Sequence, residues 1–336
     1  MFKCPRPIIA LSLGIAVGIC PTVAFGEDLD VIVALPAQTL TFGSAFVAEE
    51  AGLYKKEGLK VSHRFLVGVA SPNAVIAGSA DFTIGTGPVF LRAAAQGQRM
   101  LAIANLIDKP LVEMVLRKDV AEAAKITSET PLAERAKALR GRTIGIQGVG
   151  SIVHAWERLV VARGGLDVEK DVRIAPMDPP AMLPALENKA IDGYATSLPF
   201  TTQAVVKGSA VMLASAASDA PDLLPFAYGL IYTKSDTCTK ARDKCVRIVR
   251  ALAAANRLIL EKPDEALGLL RKRFDKIDPA VLAAAWQVVS KAHASDVRVS
   301  PAGLDNSQKV SLEAKLLDPK DTIMSFDGLH SDEFLR

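Results

Sequence analysis

Histidine, cysteine and aromatic residues are scarce in this 336-residue chain, and neither sign of charge dominates. Its four histidines, His63, His154, His293 and His330, are scattered without the close spacing that metal ligation needs. Neither a metal nor a cofactor is expected. Lysine and arginine number 40 against 37 aspartates and glutamates. That balance offers nothing to a polyanion or an anionic membrane surface, so nucleic acid is excluded as a partner. After residue 26 no apolar run approaches the roughly 20 residues that cross a bilayer. The glycine-rich Gly148-Val149-Gly150-Ser151-Ile152 has neither the order nor the setting of a nucleophile elbow. It also lacks the full dinucleotide fingerprint and its acidic partner. No residue is therefore assigned a catalytic role.

What is present starts at the amino terminus. Lys3 and Arg6 precede the apolar stretch Ile8–Ile19, and Ala24-Phe25-Gly26 offers small residues for cleavage. Residues 1–26 thus read as an export signal cut near Gly26, its apolar core too short to span a membrane. The rival reading, Cys20 as a lipid-anchor cysteine, fits poorly between Ile19 and Pro21, because that processing prefers small neighbours. Removing the leader takes away two basic residues and no acidic one, leaving a net charge of about +1. It also leaves only Cys238 and Cys245. In an exported chain such a pair closes a disulfide, worth about 2–3 kcal/mol at most over so short a loop. The alternative is two free thiols spaced along one helix. Lys244–Leu260 reads as a helix, so the bridge requires Cys238 in the loop before it.

The mature chain is long for one core, which favours two domains. From Leu29 onward, short β-type runs alternate with helical ones. Val31–Leu35, Lys60–Leu66, Asp81–Gly85 and Leu101–Leu106 read as strands with helices between them. The polar stretch Lys118–Arg140 reads as surface connection. A second series follows, with strands at Arg142–Gln147, Val172–Pro176, Ala190–Ala195 and Val211–Ala214. Beyond Ala241 the pattern is almost entirely helical. This is an α/β class with mostly parallel sheets and helices on both faces. Strand-like crossings at Leu111–Arg117 and Phe226–Thr233 suggest a second lobe, residues 113–229, inserted into a first made of residues 27–112 and 230–336.

The strands share a local pattern: each ends in small or hydroxyl residues able to cap the next helix. Gln38, Thr39 and Thr41 with Phe42 follow the first strand, Gly68 and Ser71 the second, and Thr86 the third. Gly150 and Ser151, then Asp178, then Ser197 with Phe200 occupy the matching places in the second series. Caps at Thr41, Ser71, Thr86, Ser151 and Ser197 would present backbone N–H groups and helix-dipole ends at the carboxyl edges of the strands. That is the ligand-binding edge of a parallel sheet. The set suits an oxyanion, since these loops contain no lysine or arginine. Phe42 and Phe200 could wall an apolar portion, and an inward-facing Asp178 would favour a ligand that also carries an amine.

The run Ala51-Gly52-Leu53-Tyr54-Lys55-Lys56-Glu57-Gly58-Leu59 resembles the signature of the nitrate/sulfonate/taurine and thiamine-pyrimidine-precursor family of ABC transporter substrate-binding proteins. The likeness continues through Ile76–Phe82, Ala95-Gln96-Gly97, Leu139–Ile146 and Ala185–Gly193. The resemblance implies a periplasmic protein with the type II periplasmic binding fold, which closes two lobes on a small molecule and docks on an ABC permease. The leader, the near-neutral charge and the lack of a catalytic constellation lead to the expectation of a monomer. It places ligand contacts at Gln38, Thr39, Thr41, Gly68–Ser71, Thr86, Gly150, Ser151 and Ser197–Phe200. Where family members often carry an aromatic-Glu-Pro motif, this chain has Ser197-Leu198-Pro199-Phe200, so the ligand stays open between an organic anion and a neutral pyrimidine. Some relatives of the fold are pyrimidine-synthesising enzymes with a cysteine cluster, which the mature chain lacks. Delivery to a sensor instead of a permease is not distinguished by these residues.

Overall fold

The computed structural model describes residues 28–127 and 129–335, and the expected export leader lies outside them. Ten strands form two five-stranded sheets. They are β1 (Leu29–Leu35), β2 (Leu59–Phe65), β3 (Phe82–Gly85), β4 (Met100–Asn105), β5 (Val112–Arg117), β6 (Arg142–Ile146), β7 (Val172–Pro176), β8 (Gly193–Ser197), β9 (Ala210–Ser215) and β10 (Leu230–Lys234). The sheet orders are β2-β1-β3-β10-β4 and β7-β6-β8-β5-β9. Strands β1 and β6 pair in parallel with their neighbours. The one antiparallel member of each sheet is the strand that the chain lays down on crossing over, β5 on the way out and β10 on the way back. The α/β class with mostly parallel pairing follows from the strand–helix alternation.

The two sheets repeat each other down to side chains. Asp81 precedes β3, and its Oδ2 accepts the Ile32 N–H of β1 at 2.8 Å. Asp192 precedes β8, and its Oδ2 accepts the Thr143 N–H of β6 at 3.0 Å. Each aspartate's own N–H returns to the carbonyl of the same residue, Ile32 or Thr143. A two-point clamp of this kind fixes the offset between the two central strands. A basic side chain answers each carboxylate, Lys244 at 2.9 Å from Asp81 and Arg117 at 3.3 Å from Asp192. Both aspartates serve the sheets.

Two segments differ from the sequence reading, while the cysteine pair follows it. Lys118–Arg140 is more than surface connection: it contains the helices Lys118–Ala123 and Leu132–Ala136 and buries Val120, Ala121, Ala136 and Leu139. Its apolar residues are mostly alanines interleaved with charge, which mask the helical spacing of Leu132, Ala136 and Leu139, and Arg135 is buried too, held by the Leu213 carbonyl and by Asp219 at 2.6 Å. Phe226–Gly229 stands outside the return strand, which begins at Leu230. Cys238 and Cys245 are joined by a disulfide with Cα atoms 5.7 Å apart. Seven positions along one helix would separate them by roughly 10 Å. Cys238 instead occupies a separate turn, Thr237–Lys240, broken from the long helix Arg242–Glu261 at Ala241.

That long helix buries a stripe including Ile248, Leu252, Ala255, Asn256 and Ile259. Asn256 is satisfied at both ends of its amide. Its Oδ1 accepts from Ser44 at 2.6 Å, while Nδ2 donates to the carbonyls of Leu106 and Ala294 at 2.8 and 3.0 Å. It thereby ties the helix Gly43–Glu50, the end of β4 and the carboxyl-terminal helices together.

The helix Ile152–Arg163 carries a buried acid with no such support. Glu157 is fully buried, and neither carboxyl oxygen has a partner among the described residues. Burial lifts its carboxyl from the ordinary 4.5 to about 7, opposed by Arg158 and aided by Glu169. A folded pKa above the unfolded one means that the native state holds the extra proton, so this group's contribution is present below pH 4.5 and lost as pH rises to about 7. Buried His154 and His293, each depressed to about 4, act in the opposite sense. The difference between variants therefore isolates Glu157. Urea denaturation should show Glu157→Gln gaining on the wild type between pH 4.5 and 7, by on the order of 3 kcal/mol. Parallel pH profiles would show that Glu157 is solvated or paired.

A candidate binding cleft between the two sheets

The carboxyl ends of β1, β3, β6 and β8 face one another, and the structure is closed across them. Leu40 N–H donates to the Leu198 carbonyl at 3.1 Å, Arg92 Nη2 donates to the Gly150 carbonyl, and a Cβ at Gly148 would meet Val67 at 3.0 Å. Between the two edges lies a cavity of about 30 Å³. A far larger groove of about 810 Å³ runs along the helix Arg242–Glu261 past Glu57, Arg257 and Asp296. It is open and of mixed charge, and no unpaired buried side-chain atom lines it among the described residues. The small cavity is the one with unmet chemistry.

Of the residues singled out by sequence, Thr39, Thr41, Phe42, Gly68, Ser71, Thr86, Ser151 and Ser197 line this cavity together. Four others do not. Gln38 turns outward and donates to the Arg273 carbonyl at 2.9 Å. Asp178 caps the helix Pro179–Glu187 beside the outer strand β7, with no side-chain capping bond. Phe200 is buried behind β8, its carbonyl accepting from Tyr194 at 2.8 Å. Gly150 stands just outside the wall, its carbonyl taken by Arg92. The lining also includes Gln147, Ile152, Tyr228 and Tyr232, which sequence reasoning missed. The tyrosines arrive on and just before the return strand β10, far along the chain from the loops that they face. Only its strand-like run hinted at them.

The capping expectation holds for two residues. Thr86 is the N-cap of Gly87–Ala95, and Ser151 caps Ile152–Arg163 by accepting from the His154 N–H at 3.3 Å. Thr41 instead lies within the short turn Leu40–Phe42, Ser71 within the helix Ala70–Ile76, and Ser197 at the end of β8, two residues ahead of the capping position at Pro199. The dominant donors are accordingly hydroxyls. Thr39, Thr41, Thr86 and Tyr232 each bury a hydroxyl with no partner among the described residues. All four belong to the first sheet and its loops.

The facing wall is already paired. Ser151 Oγ donates to the Gly148 carbonyl at 2.7 Å, and Gln147 Oε1 accepts from Thr196 at 2.8 Å, which leaves its amide nitrogen as a donor. Ser197 and Tyr228 lie 3.4 Å apart through their hydroxyls. His154 Nδ1 accepts the Gly150 N–H at 3.0 Å, as a neutral ring must; burial first, and Arg158 second, hold its pKa near 4. Gly85 has to be glycine here, because a Cβ would stand 2.8 Å from the Tyr232 hydroxyl. No carboxylate, lysine or arginine lines the cavity.

The sequence profile of the family described as NMT1/THI5 like matches residues 40–266, and the chain belongs to that family. A protein of Brucella abortus (strain 2308), provisionally named a binding protein, is 26% identical over 282 residues, 82% of this chain and 81% of that protein. The alkanesulfonate-binding protein SsuA from Xanthomonas axonopodis pv. citri, solved with MOPS bound, superposes with a TM-score of 0.69 at 18% identity. That match covers 88% of this chain and 96% of SsuA. A Candida albicans protein described as having the generic periplasmic binding protein fold also reaches 0.69, at 13% identity over 90% of this chain and 96% of its own. At such identities the superpositions show a shared fold, the periplasmic binding protein fold.

A buried hydroxyl without a partner stabilises nothing, and removing it relieves any cost of burying it unpaired. Tyr232→Phe should therefore leave the unfolding free energy, read from urea titration without ligand, unchanged or raised by up to about 3 kcal/mol. A loss above about 2 kcal/mol would mean that the hydroxyl is bonded within the protein.

Proposed function

We propose that this member of the NMT1/THI5-like family is an extracytoplasmic receptor that captures a small organic anion, a sulfonate or carboxylate, and delivers it to an ABC permease. Residues 27–112 with 230–336 form one lobe and residues 113–229 the other, and the protein works as a monomer that hinges where the chain crosses between sheets. The observation that carries this reading is the set of four unpaired hydroxyls on one wall of a closed cleft. Each buried unpaired polar group costs about 1–3 kcal/mol. Closure is therefore uphill until a ligand supplies acceptors, and a sulfonate or carboxylate supplies two or three. Because both walls contact the ligand, the closed state gains contacts that the open state lacks.

Binding without turnover is supported by the lining itself, whose only ionisable groups are two tyrosines with pKa values raised by burial. The likeness to an alkanesulfonate-binding protein favours the sulfonate class. An export leader at residues 1–26 agrees with a receptor outside the cytoplasm. A neutral pyrimidine is the second reading, favoured by the fact that hydroxyls both donate and accept.

A thermal-shift screen over sulfonates, aromatic carboxylates, pyrimidines and inorganic anions separates the two. Organic anions should raise the melting temperature progressively with concentration, as mass action requires, and Thr86→Val should weaken that response. Stabilisation by neutral pyrimidines alone, undiminished in Thr86→Val, would overturn the anion reading.

A further inference from the structure

The cavity wall is neutral, but one cation stands at its edge. Arg92 lies on the helix Gly87–Ala95, one turn beyond Val89, and Val89 lines the cavity. Its guanidinium crosses to the second sheet and donates to the carbonyl of Gly150, the residue before Ser151. Gly150 has φ +76, and a Cβ there would meet Arg92 Nη2 at 3.0 Å, so the guanidinium packs directly on a bare backbone. Tyr232, one of the four unpaired hydroxyls, lies within electrostatic reach of Arg92, as does neutral His154.

What Arg92 lacks is a counter-charge. It is half-buried, and among the described residues no carboxylate forms an ion pair with it. Burial depresses its pKa, which is the mark of a charge held where water solvates it poorly. A guanidinium has five donors, and the Gly150 carbonyl occupies one direction of that fork. The sequence reading, which found no lysine or arginine in the cleft loops, missed it because it sits well inside a helix.

We infer that Arg92 is the selectivity-determining cation of the cleft, bridging the two lobes through Gly150 and supplying the counter-charge for an anionic group seated against Thr39, Thr41, Thr86 and Tyr232. This rests on the receptor reading above and adds the residue that makes it charge-selective. An anion in the closed cleft neutralises a charge that closure otherwise strands. A neutral ligand of the same shape satisfies the hydroxyls and leaves the guanidinium uncompensated. Charge selection and closure therefore act through one side chain.

The test uses anions and their neutral counterparts: ethanesulfonate against ethanesulfonamide, benzoate against benzamide, and acetate against acetamide. Affinities are measured by calorimetry on the wild type, Arg92→Lys and Arg92→Met, with circular dichroism and melting temperature confirming that each variant folds. The wild type should prefer at least one anion over its amide by about tenfold or more. Arg92→Met should bring that ratio close to one by weakening the anion alone, and Arg92→Lys should keep part of it. A folded Arg92→Met variant that retains the preference, or that loses anion and amide equally, overturns the role of Arg92 while leaving the receptor reading in place. A wild type that binds none of the anions better than its amide overturns the anion reading and this inference together.

Discussion

A buried hydroxyl without a partner costs free energy, and among the described residues four of them meet at one cavity. The rest of the structure makes sense around that constraint. One wall presents the free hydroxyls of Thr39, Thr41, Thr86 and Tyr232. The other presents Ser151 and Ser197, each already engaged with its own neighbours, and Gln147, whose oxygen is engaged. The two walls are thus not equivalent. In the receptor proposed above, the first wall meets the ligand and the second covers it without rearranging.

Such a division requires each wall to be rigid, and the repeated sheet architecture provides it. The matched clamps at Asp81 and Asp192 fix the strand offset in each sheet, so that the loops after the strands emerge at set heights. The antiparallel strands β5 and β10 continue directly from the crossings. In the proposed hinge closure, movement between the walls falls to the crossings and each sheet moves as a body. Asn256 ties the long helix Arg242–Glu261 to the end of β4, and the disulfide joins that helix to the turn that follows β10.

Much of this was legible in the sequence because it is local. Strand–helix alternation, the glycine and hydroxyl residues after each strand, and the family-like run at Ala51–Leu59 all depend on near neighbours. Eight of the twelve residues singled out meet at one cavity for that reason. The four that do not were misplaced by what spacing cannot show. Asp178 follows β7, an outer strand one place removed from the cleft. Gln38 and Phe200 sit beside lining residues but point elsewhere, and Gly150 contributes backbone to Arg92 in place of the wall. Tyr228, Tyr232 and Arg92 were unreadable for the converse reason. They reach the site through a returning antiparallel strand and through the second turn of a helix.

In the proposed receptor, closure of the two lobes is conditional on a ligand that satisfies the first wall. Small-angle X-ray scattering tests this most directly, on the mature protein with and without a saturating anion that raises its melting temperature. The ligand-free protein should be the more extended, and the bound form should contract to an envelope matching the closed structure described here. An identical scattering profile in both states would contradict the account, because the four hydroxyls would then stay buried and unpaired with nothing to compensate them.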